Sequence, residues 1–168
     1  MDALELIHAH EVEQQLQAFI RESNRIEGIH RDPLASEIKA HKTLLARKRV
    51  KVEHVTALVS ACQPDAILRA SSSVPSVRVG NHIAPPSGPG IVADLETLLA
   101  EIAIKVLTPW AAHVRYETLH PYTDGNGRSG RAVWLWHMTL LGHQRRALAI
   151  GFLHNFYYQT LASRQTTR

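Results

Sequence analysis

The sequence has a single cysteine among its 168 residues, which excludes an internal disulfide and a cysteine-based metal cluster. No apolar run reaches the roughly 18 residues of a membrane-spanning helix, so we expect no membrane partner. The first residues lack a basic stretch followed by an apolar one, which argues against a signal peptide and for a cytoplasmic protein. The histidines include no H-E-x-x-H pair, so a histidine-based metal site is not expected.

Acidic residues are absent after Asp124, and this divides the chain by charge. Residues 1–124 carry 13 Lys+Arg and 15 Asp+Glu, whereas residues 125–168 carry six arginines and no acid. The asymmetry suggests an anionic partner for the second part. Its arginines are few and interleaved with apolar residues, so we do not expect that partner to be nucleic acid.

The reactive side chains concentrate in residues 120–131, whose sequence is HPYTDGNGRSGR. An apolar run follows from Ala132 and predicts a buried helix that ends near Gly142. Glycines before a helix let a ligand approach the free N–H groups of its first turn, an arrangement that binds anions. Arg128 and Arg131 are three residues apart, so both guanidinium groups should emerge on one side, where they could bind phosphate.

Two further side chains of this segment suit phosphate chemistry on a nucleotide. His120 is the only base in the segment that can act near neutral pH. The Asp124 carboxylate could hold Mg²⁺, which prefers oxygen ligands and often bridges substrate phosphates. The pattern Gly125-x-Gly127-x-x-Gly130 is not a dinucleotide fingerprint, because no acidic residue follows about 20 positions later, and no Walker A sequence occurs.

Residues 120–131 resemble the Fic family signature H-x-F-x-[DE]-G-N-G-R-x-x-R, with Tyr122 in place of the usual Phe. The resemblance implies an all-α, Fic-type helical bundle with a small β-hairpin flap. It implies a single domain of residues 1–168, in which residues 120–142 form the catalytic loop and motif helix. The implied activity is transfer of AMP from ATP, with Mg²⁺, to a Tyr, Thr or Ser hydroxyl of a target protein.

The resemblance also implies a role for each residue of the signature. His120 would take the proton from the incoming hydroxyl, and Asp124 would hold Mg²⁺ between the α- and β-phosphates. Amides of the loop would bind phosphate oxygens. Arg128 would clamp the β-phosphate, and Arg131 would clamp the γ-phosphate. These nucleotide-binding residues are Gly125, Asn126, Gly127, Arg128 and Arg131.

A second resemblance lies near the N-terminus, where a helix is predicted from about Asp2 to Ile26 with Gly28 as its C-terminal cap. The segment Ser23–Gly28 resembles the Fic inhibitory motif [ST]-x-x-x-E-[GN], so residues 1–30 are identified as an N-terminal inhibitory helix formed with Ser23, Glu27 and Gly28. The resemblance implies that Glu27 pairs with Arg131 and occupies the place of the γ-phosphate. The alternative is that Glu27 pairs with Arg31 or lies in solvent.

The only strand signal in the sequence is the alternating segment from Val77 to Ile83. The run Val79-Gly80-Asn81-His82, with Pro-Pro after it, resembles the Fic flap, assigned here to residues 76–86. This flap would cover the nucleotide and pair its edge with a target segment that presents the hydroxyl. A plain surface hairpin is the alternative.

Near the end of the chain, Tyr157-Tyr158-x-x-Leu161 resembles a family segment that borders the nucleotide, with Gln165 where relatives carry Asn. Aromatic core packing is the alternative for these tyrosines.

Further helices are predicted from capping residues and apolar spacing. Two of them begin at Asp32-Pro33 and at Gln63-Pro64-Asp65. Four others cover Val52–Ala61, Ile91–Leu107, Trp110–Leu119 and Gly151–Arg164. A basic link is expected over residues 142–146.

Other outcomes remain open within the family. A branch resembling Doc phosphorylates its target, but that branch has a Lys and an Ala in its loop, and Gly125 and Arg128 argue against it here. Phosphocholine transfer is also known in the family. Glu27 could instead position a water that removes AMP, which would make a bifunctional or de-AMPylating enzyme. Relatives often self-associate, so a homo-oligomer is possible. A different class of protein, a non-catalytic module that binds an anion or nucleotide, would have no need of His120 as a base.

Overall fold

The computed structural model describes residues 3–165, and this part of the chain forms seven α-helices and one two-stranded antiparallel hairpin. The predicted all-α fold class with a small hairpin is confirmed. The helices are α1 (Ala3–Ile26), α2 (Ala35–Leu45), α3 (Val52–Cys62), α4 (Pro89–Ala103), α5 (Pro109–Leu119), α6 (Asn126–Leu140) and α7 (Gln144–Gln165). The hairpin strands are β1 (Arg78–Val79) and β2 (His82–Ile83), with Arg78 opposite Ile83 and Val79 opposite His82.

Helix α6 is buried on all sides and lies between two hydrophobic clusters. Trp136 belongs to a cluster built with α3, α4 and α5, whereas Trp134 belongs to one built with α1 and α7. Both indole N–H groups are satisfied, because Trp134 donates to Gln159 Oε1 at 3.2 Å and Trp136 donates to the Arg47 carbonyl at 2.8 Å. The predicted buried helix is confirmed, and packing on both faces fixes where its N-terminus lies.

Helix α1 ends as the sequence predicts, with Gly28 in the left-handed region at φ 74°. The N–H of Ile29 donates to the Asn24 carbonyl at 3.0 Å, and that of Gly28 donates to the Arg25 carbonyl at 3.0 Å. These two bonds form a Schellman cap. The cap holds Glu27, the residue just before the glycine, at the end of the helix.

The predicted start of α2 at Asp32-Pro33 is wrong. The helix begins after Leu34, whose N–H donates to the Glu37 carboxylate at 2.7 Å. Asp32 instead accepts a hydrogen bond from Arg21 at 2.9 Å. A glutamate three residues into the helix therefore supplies the cap that was expected from the aspartate.

Two other boundaries differ from the prediction. Residues 63–65 form a turn, closed by a 3.1 Å bond from Ala66 N to the Gln63 carbonyl, and not a helix. Helix α4 stops at residue 103, because Lys105 takes a left-handed conformation at φ 61°. Val106, which lies within the predicted helix range, is 63% exposed as a result.

Helix α7 begins within the predicted basic link and turns sharply at Gly151, where φ is 73° and ψ is 171°. The Glu22 carboxylate of α1 accepts a 2.8 Å bond from Phe152 N, just after the turn. The predicted start near Gly151 therefore marks the second half of α7, and an α1 carboxylate caps that half.

The helices predicted over Val52–Ala61 and Trp110–Leu119 are confirmed within one residue at their ends. Thr108 caps α5 by accepting from Ala111 N at 3.2 Å. No helix in the described part of the chain is long and apolar enough to cross a membrane. The cytoplasmic location stays a prediction.

The fold predicts acid sensitivity through His137, a fully buried residue of α6 whose two ring nitrogens have no hydrogen-bond partner. Burial lowers the pKa of His137 from 6.5 to about 4. Between these pH values the unfolded chain binds a proton that the folded chain does not, so stability falls as the pH falls. The full contribution of this imidazole is about 3 kcal/mol at 1.36 kcal/mol per pKa unit.

We expect His137→Leu to flatten the pH dependence of the unfolding free energy, measured by urea denaturation between pH 7.5 and 4.5. The difference between the parent and the variant isolates His137 from other buried ionisable groups. Equal pH dependence in the two proteins would contradict the prediction.

Candidate active site

His120 lies where α5 ends, and its backbone takes a left-handed conformation at φ 49° and ψ 62°. Its ring Nδ1 lies 3.0 Å from the Glu117 carbonyl and must donate to it. The Nε2 atom is therefore the free acceptor of a neutral imidazole. Burial lowers the pKa of His120, while the bond to the Glu117 carbonyl works in the opposite direction. The lowered pKa keeps the ring neutral at pH 7, and a neutral ring can accept a proton at Nε2.

The loop after His120 is closed by the side chain of Asn126, which is 3% exposed. Its Oδ1 accepts from Tyr122 N at 2.9 Å, and its Nδ2 donates to the Tyr122 carbonyl at 2.8 Å. The Tyr122 ring is fully buried beneath the loop, and its hydroxyl lies 2.9 Å from Thr56 Oγ1. A tyrosine can replace phenylalanine here because its polar atom has a partner.

Gly127 lies in the first turn of α6, where backbone N–H groups have no partner within the helix. A Cβ atom on Gly127 would overlap Glu27 Oε1 and would lie 3.1 Å from Arg131 Nη1. The carboxylate of Glu27 therefore lies against Gly127 in the first turn of α6, at a position that a side chain would block. This is where a bound anion is favoured by the helix dipole.

Arg131 holds this carboxylate and is itself held by α1. Its Nη2 donates to Glu27 Oε1 at 2.5 Å and to the Ser23 carbonyl at 3.0 Å, while Nε donates to Ser23 Oγ at 2.8 Å. The expected pairing of Glu27 with Arg131 is confirmed. The alternative partner, Arg31, is bonded to Glu37 at 2.9 Å instead. Because the Glu27 side chain is 38% exposed, solvent screening reduces the pair to about 1 kcal/mol.

Arg128 does not lie beside Arg131 as the sequence spacing suggested. Its Nη1 donates to the Cys62 carbonyl at 2.6 Å, and its Nη2 donates to Gln63 Oε1 at 2.6 Å. The last carbonyls of α3 lack helical partners and attract a cation. The expected clamp on the β-phosphate therefore has no support in these contacts, since the guanidinium is bonded to the end of α3.

Asp124 is exposed at the mouth of the loop, and its Oδ1 accepts from Gly125 N at 2.6 Å. Gly125 is the N-cap of α6 and takes φ 73°. Among the described residues, no group of three or more His, Cys, Asp or Glu could hold a metal ion by itself. Mg²⁺ commonly uses one or two carboxylates together with substrate phosphates and water, so a lone Asp124 fits a magnesium that arrives with a nucleotide.

The hairpin lies over His120 and helps to form a cleft of about 330 Å³. Its residue His82 donates from Nε2 to the Thr118 carbonyl at 2.8 Å, which attaches the hairpin to α5. Gly80 and Asn81 form the exposed turn and do not line the cleft. The cleft is lined by Val79, His82, His113, Val114, Glu117, Thr118, His120 and Phe156.

Tyr157 and Tyr158 are 59% and 56% exposed, so the alternative of aromatic core packing is wrong for them. Their rings contact each other, with centroids 5.7 Å apart. Neither lines the cleft, whereas their neighbour Phe156 does. The assignment of the two tyrosines to the nucleotide stays a prediction. The side chains of Leu161 and Gln165 lie outside the described residues.

Glu117 is a functional candidate that the sequence analysis missed. Burial raises the pKa of its carboxyl to about 7, opposed by the charge of Arg131 and assisted by that of Glu27. Its Oε1 has no hydrogen-bond partner and would overlap a Cβ placed on Gly130 of α6. The sequence does contain a signal for this residue. Glu117 lies three residues before His120 at the end of a predicted helix, and this spacing places the two side chains on one side of the helix.

The geometry defines a class of protein: a helical domain in which an imidazole and a hairpin flank an anion site at a helix N-terminus. The Fic/DOC family model matches residues 4–138, and the chain belongs to this family. The match includes Ser23, Glu27 and the whole loop but ends before α7. No protein of curated function matches the sequence. The subclass with an N-terminal inhibitory helix stays a prediction.

Asn126→Ala should destabilise the protein by about 2 kcal/mol, because it leaves the buried N–H and C=O of Tyr122 without partners. Urea denaturation at pH 7.5 measures the loss. Asn81→Ala, at the exposed turn of the hairpin, is the matched control and should change stability by less than about 0.5 kcal/mol. Equal stability of the two variants would show that the amide does not hold the loop.

Proposed function

We propose that the protein transfers AMP from ATP to a Tyr, Thr or Ser hydroxyl of a target protein and that Glu27 restrains this activity. Many members of the Fic/DOC family are transferases. One observation carries the proposal: the free Nε2 of His120 belongs to the same loop as an anion position that a carboxylate of the chain already occupies. A passive anion site would not require a neutral imidazole beside it.

In the proposed reaction His120 acts as a general base. Its Nε2 takes the proton of the target hydroxyl while the hydroxyl oxygen forms a bond to the α-phosphorus of ATP. The bond from that phosphorus to the bridging oxygen breaks, and pyrophosphate leaves with the electron pair. The products are the AMP-modified hydroxyl, pyrophosphate and a proton, which His120 releases to solvent.

The start of α6 would bind the triphosphate in place of Glu27. The N–H groups of the first turn point outward as donors, and Arg131 supplies a charge to the terminal phosphate. Magnesium bound at Asp124 would neutralise charge between the α- and β-phosphates. Since Arg128 is bonded to the end of α3, we assign the main phosphate contact to Arg131.

Glu27 would inhibit by occupancy. A phosphate cannot approach the backbone of Gly127 while the carboxylate lies there, and Arg131 cannot serve both anions in the same geometry. The restraint ends when Glu27 moves aside, and nothing else in the loop needs to change, because Asn126 closes the loop without contacting Glu27.

The hairpin is the proposed binding edge for the target. Val79 and Ile83 are 47% and 70% exposed, unusually high for apolar side chains of a short sheet. An extended peptide could add to this edge by backbone hydrogen bonds, and Val79 and His82 would then bring it to the cleft of His120. The partner is therefore a protein segment with an accessible hydroxyl.

We expect Glu27→Gly to raise transfer of labelled AMP, because the anion position becomes open. About 1 kcal/mol of pairing corresponds to about a fivefold gain, and removal of the steric overlap adds to it. Incubation with ATP labelled at the α-phosphate, Mg²⁺ and a bacterial lysate, followed by gel autoradiography, measures the label. His120→Ala in the Glu27→Gly background should abolish it.

Glu11→Gly is the matched control, because it introduces the same substitution at an exposed position of α1 away from the loop. It should leave labelling at the parent level. Equal labelling by the parent and Glu27→Gly would refute the restraint. If no variant labels any protein but ATP still binds, the alternative of a non-catalytic nucleotide-binding module is correct.

The rate of transfer by Glu27→Gly should fall on the acid side of pH 6.5, since protonation of His120 removes the base and its pKa lies below that value. Removal of Glu27 takes away a charge that raises this pKa, so the acid limb should lie still lower than in the parent. Initial rates between pH 5 and 8.5 measure the profile.

Glu117, whose pKa is raised to about 7, titrates in the same range. Glu117→Gln removes that titration and should leave the His120 limb in place. Loss of the acid limb in this variant would assign the limb to Glu117 and not to the imidazole.

A further inference from the structure

Arg69 is a fully buried cation in the irregular segment between α3 and the hairpin. None of the ion pairs formed by the described residues includes it, and its partners are carbonyl and hydroxyl oxygens. Burying a guanidinium costs free energy unless its N–H donors have acceptors. The positions of those acceptors therefore show which parts of the fold Arg69 joins.

One side of the Arg69 guanidinium binds the end of α5. Its Nε donates to the His120 carbonyl at 2.8 Å, and its Nη2 donates to the Leu119 carbonyl at 2.8 Å. These carbonyls lie where helical hydrogen bonding stops, and they favour a cation. His120 is also a non-glycine residue in the left-handed region, a conformation that persists only when its surroundings hold it.

The other side of the same guanidinium binds the chain that leaves the hairpin. Its Nη1 donates to the Pro85 carbonyl at 2.7 Å and to Ser87 Oγ at 3.2 Å. The backbone of Arg69 joins the same two parts: its N–H donates to the Pro121 carbonyl at 2.9 Å, and its carbonyl accepts from Gly88 N at 2.9 Å. Arg69 thus connects His120, the candidate general base, to the segment that leaves the hairpin.

We propose that Arg69 is a positioning residue that holds the hairpin at a fixed distance from His120, so that a hydroxyl bound at the hairpin meets Nε2. The inference rests on the proposed transfer for its consequence, but the mechanical connection can be measured without it. A planar guanidinium with donors on two edges suits this task, whereas a lysine ammonium is a single centre that cannot reach both sides.

Two substitutions separate the connection from folding. Arg69→Lys keeps the charge and loses the bridge. Ser87→Ala keeps Arg69 and removes its hydroxyl contact on the hairpin side, together with the 3.1 Å bond from Ser87 Oγ to the Pro75 carbonyl in the segment before the hairpin. Ser73→Ala is the matched control, because its hydroxyl contacts only Ser71, in the loop before the hairpin.

Amide hydrogen exchange, followed by mass spectrometry on the full chain, tests the connection directly. We expect Arg69→Lys to speed exchange in residues 77–84 and 119–125, and Ser87→Ala to speed it in residues 77–84 alone. Ser73→Ala should match the parent. Unchanged exchange of residues 77–84 in Ser87→Ala and in Arg69→Lys would overturn the proposal, and if Arg69→Lys does not fold, Ser87→Ala decides.

Activity in the Glu27→Gly background supplies the second measurement. Displacing the hairpin by about 1 Å should lower label transfer to lysate proteins about 100-fold in Arg69→Lys. Ser87→Ala should lower it about tenfold, the effect of one hydrogen bond to a charged group, and leave hydrolysis of ATP to AMP and pyrophosphate unchanged, because the attacking water does not bind the hairpin. An equal fall of transfer and hydrolysis in Ser87→Ala would assign Arg69 a purely structural role and overturn the positioning role.

The two proposals fail in different ways. Faster exchange in the expected segments, with no transfer or hydrolysis by any variant, would support the connection and refute the transferase. Transfer by Glu27→Gly with unchanged hairpin exchange would support the transferase and overturn the role of Arg69.

Discussion

Burial of α6 on all sides is the constraint on which the site depends. Trp134 and Trp136 face opposite clusters, so the helix cannot rotate or slide without breaking both. Its first turn is therefore held in place, and the loop before it must close over a short distance. Asn126 and the buried ring of Tyr122 make that closure, which fixes His120 relative to the helix N-terminus.

Charges of both signs are buried around this rigid frame, and each has a distinct partner. Arg131 binds α1, Arg128 binds the end of α3, and Arg69 binds the end of α5 and the hairpin. Each guanidinium lies where helical carbonyls or a carboxylate lack other donors. Glu117 is the exception, since burial raises the pKa of its carboxyl to about 7 and so leaves it partly protonated near neutral pH. The site thus limits its own negative charge at the place where a bound triphosphate would bring about four negative charges.

The sequence predicted what is encoded locally and missed what depends on distant partners. The Gly28 cap, the buried helix after the loop and the hairpin follow from short patterns, and each has the predicted form. The direction of Arg128 does not, because its partner is the end of a helix more than 60 residues earlier. Arg69 carried no signal at all: an isolated arginine in a loop resembles any surface cation until the fold buries it.

The weakness of the Glu27–Arg131 pair bears on how the proposed inhibition by Glu27 would be reversed. A partly exposed pair of about 1 kcal/mol biases two states only about fivefold, which is too little to exclude a nucleotide by itself. The proposed restraint would come mainly from attachment, because the Schellman cap and the Ser23 bonds keep the carboxylate beside Arg131 at a millimolar or higher local concentration. Any event that loosens the end of α1 lowers that concentration without touching the catalytic loop. In the proposed mechanism the loop would therefore stay fully formed while Glu27 is in place, and release would require motion only at the end of α1.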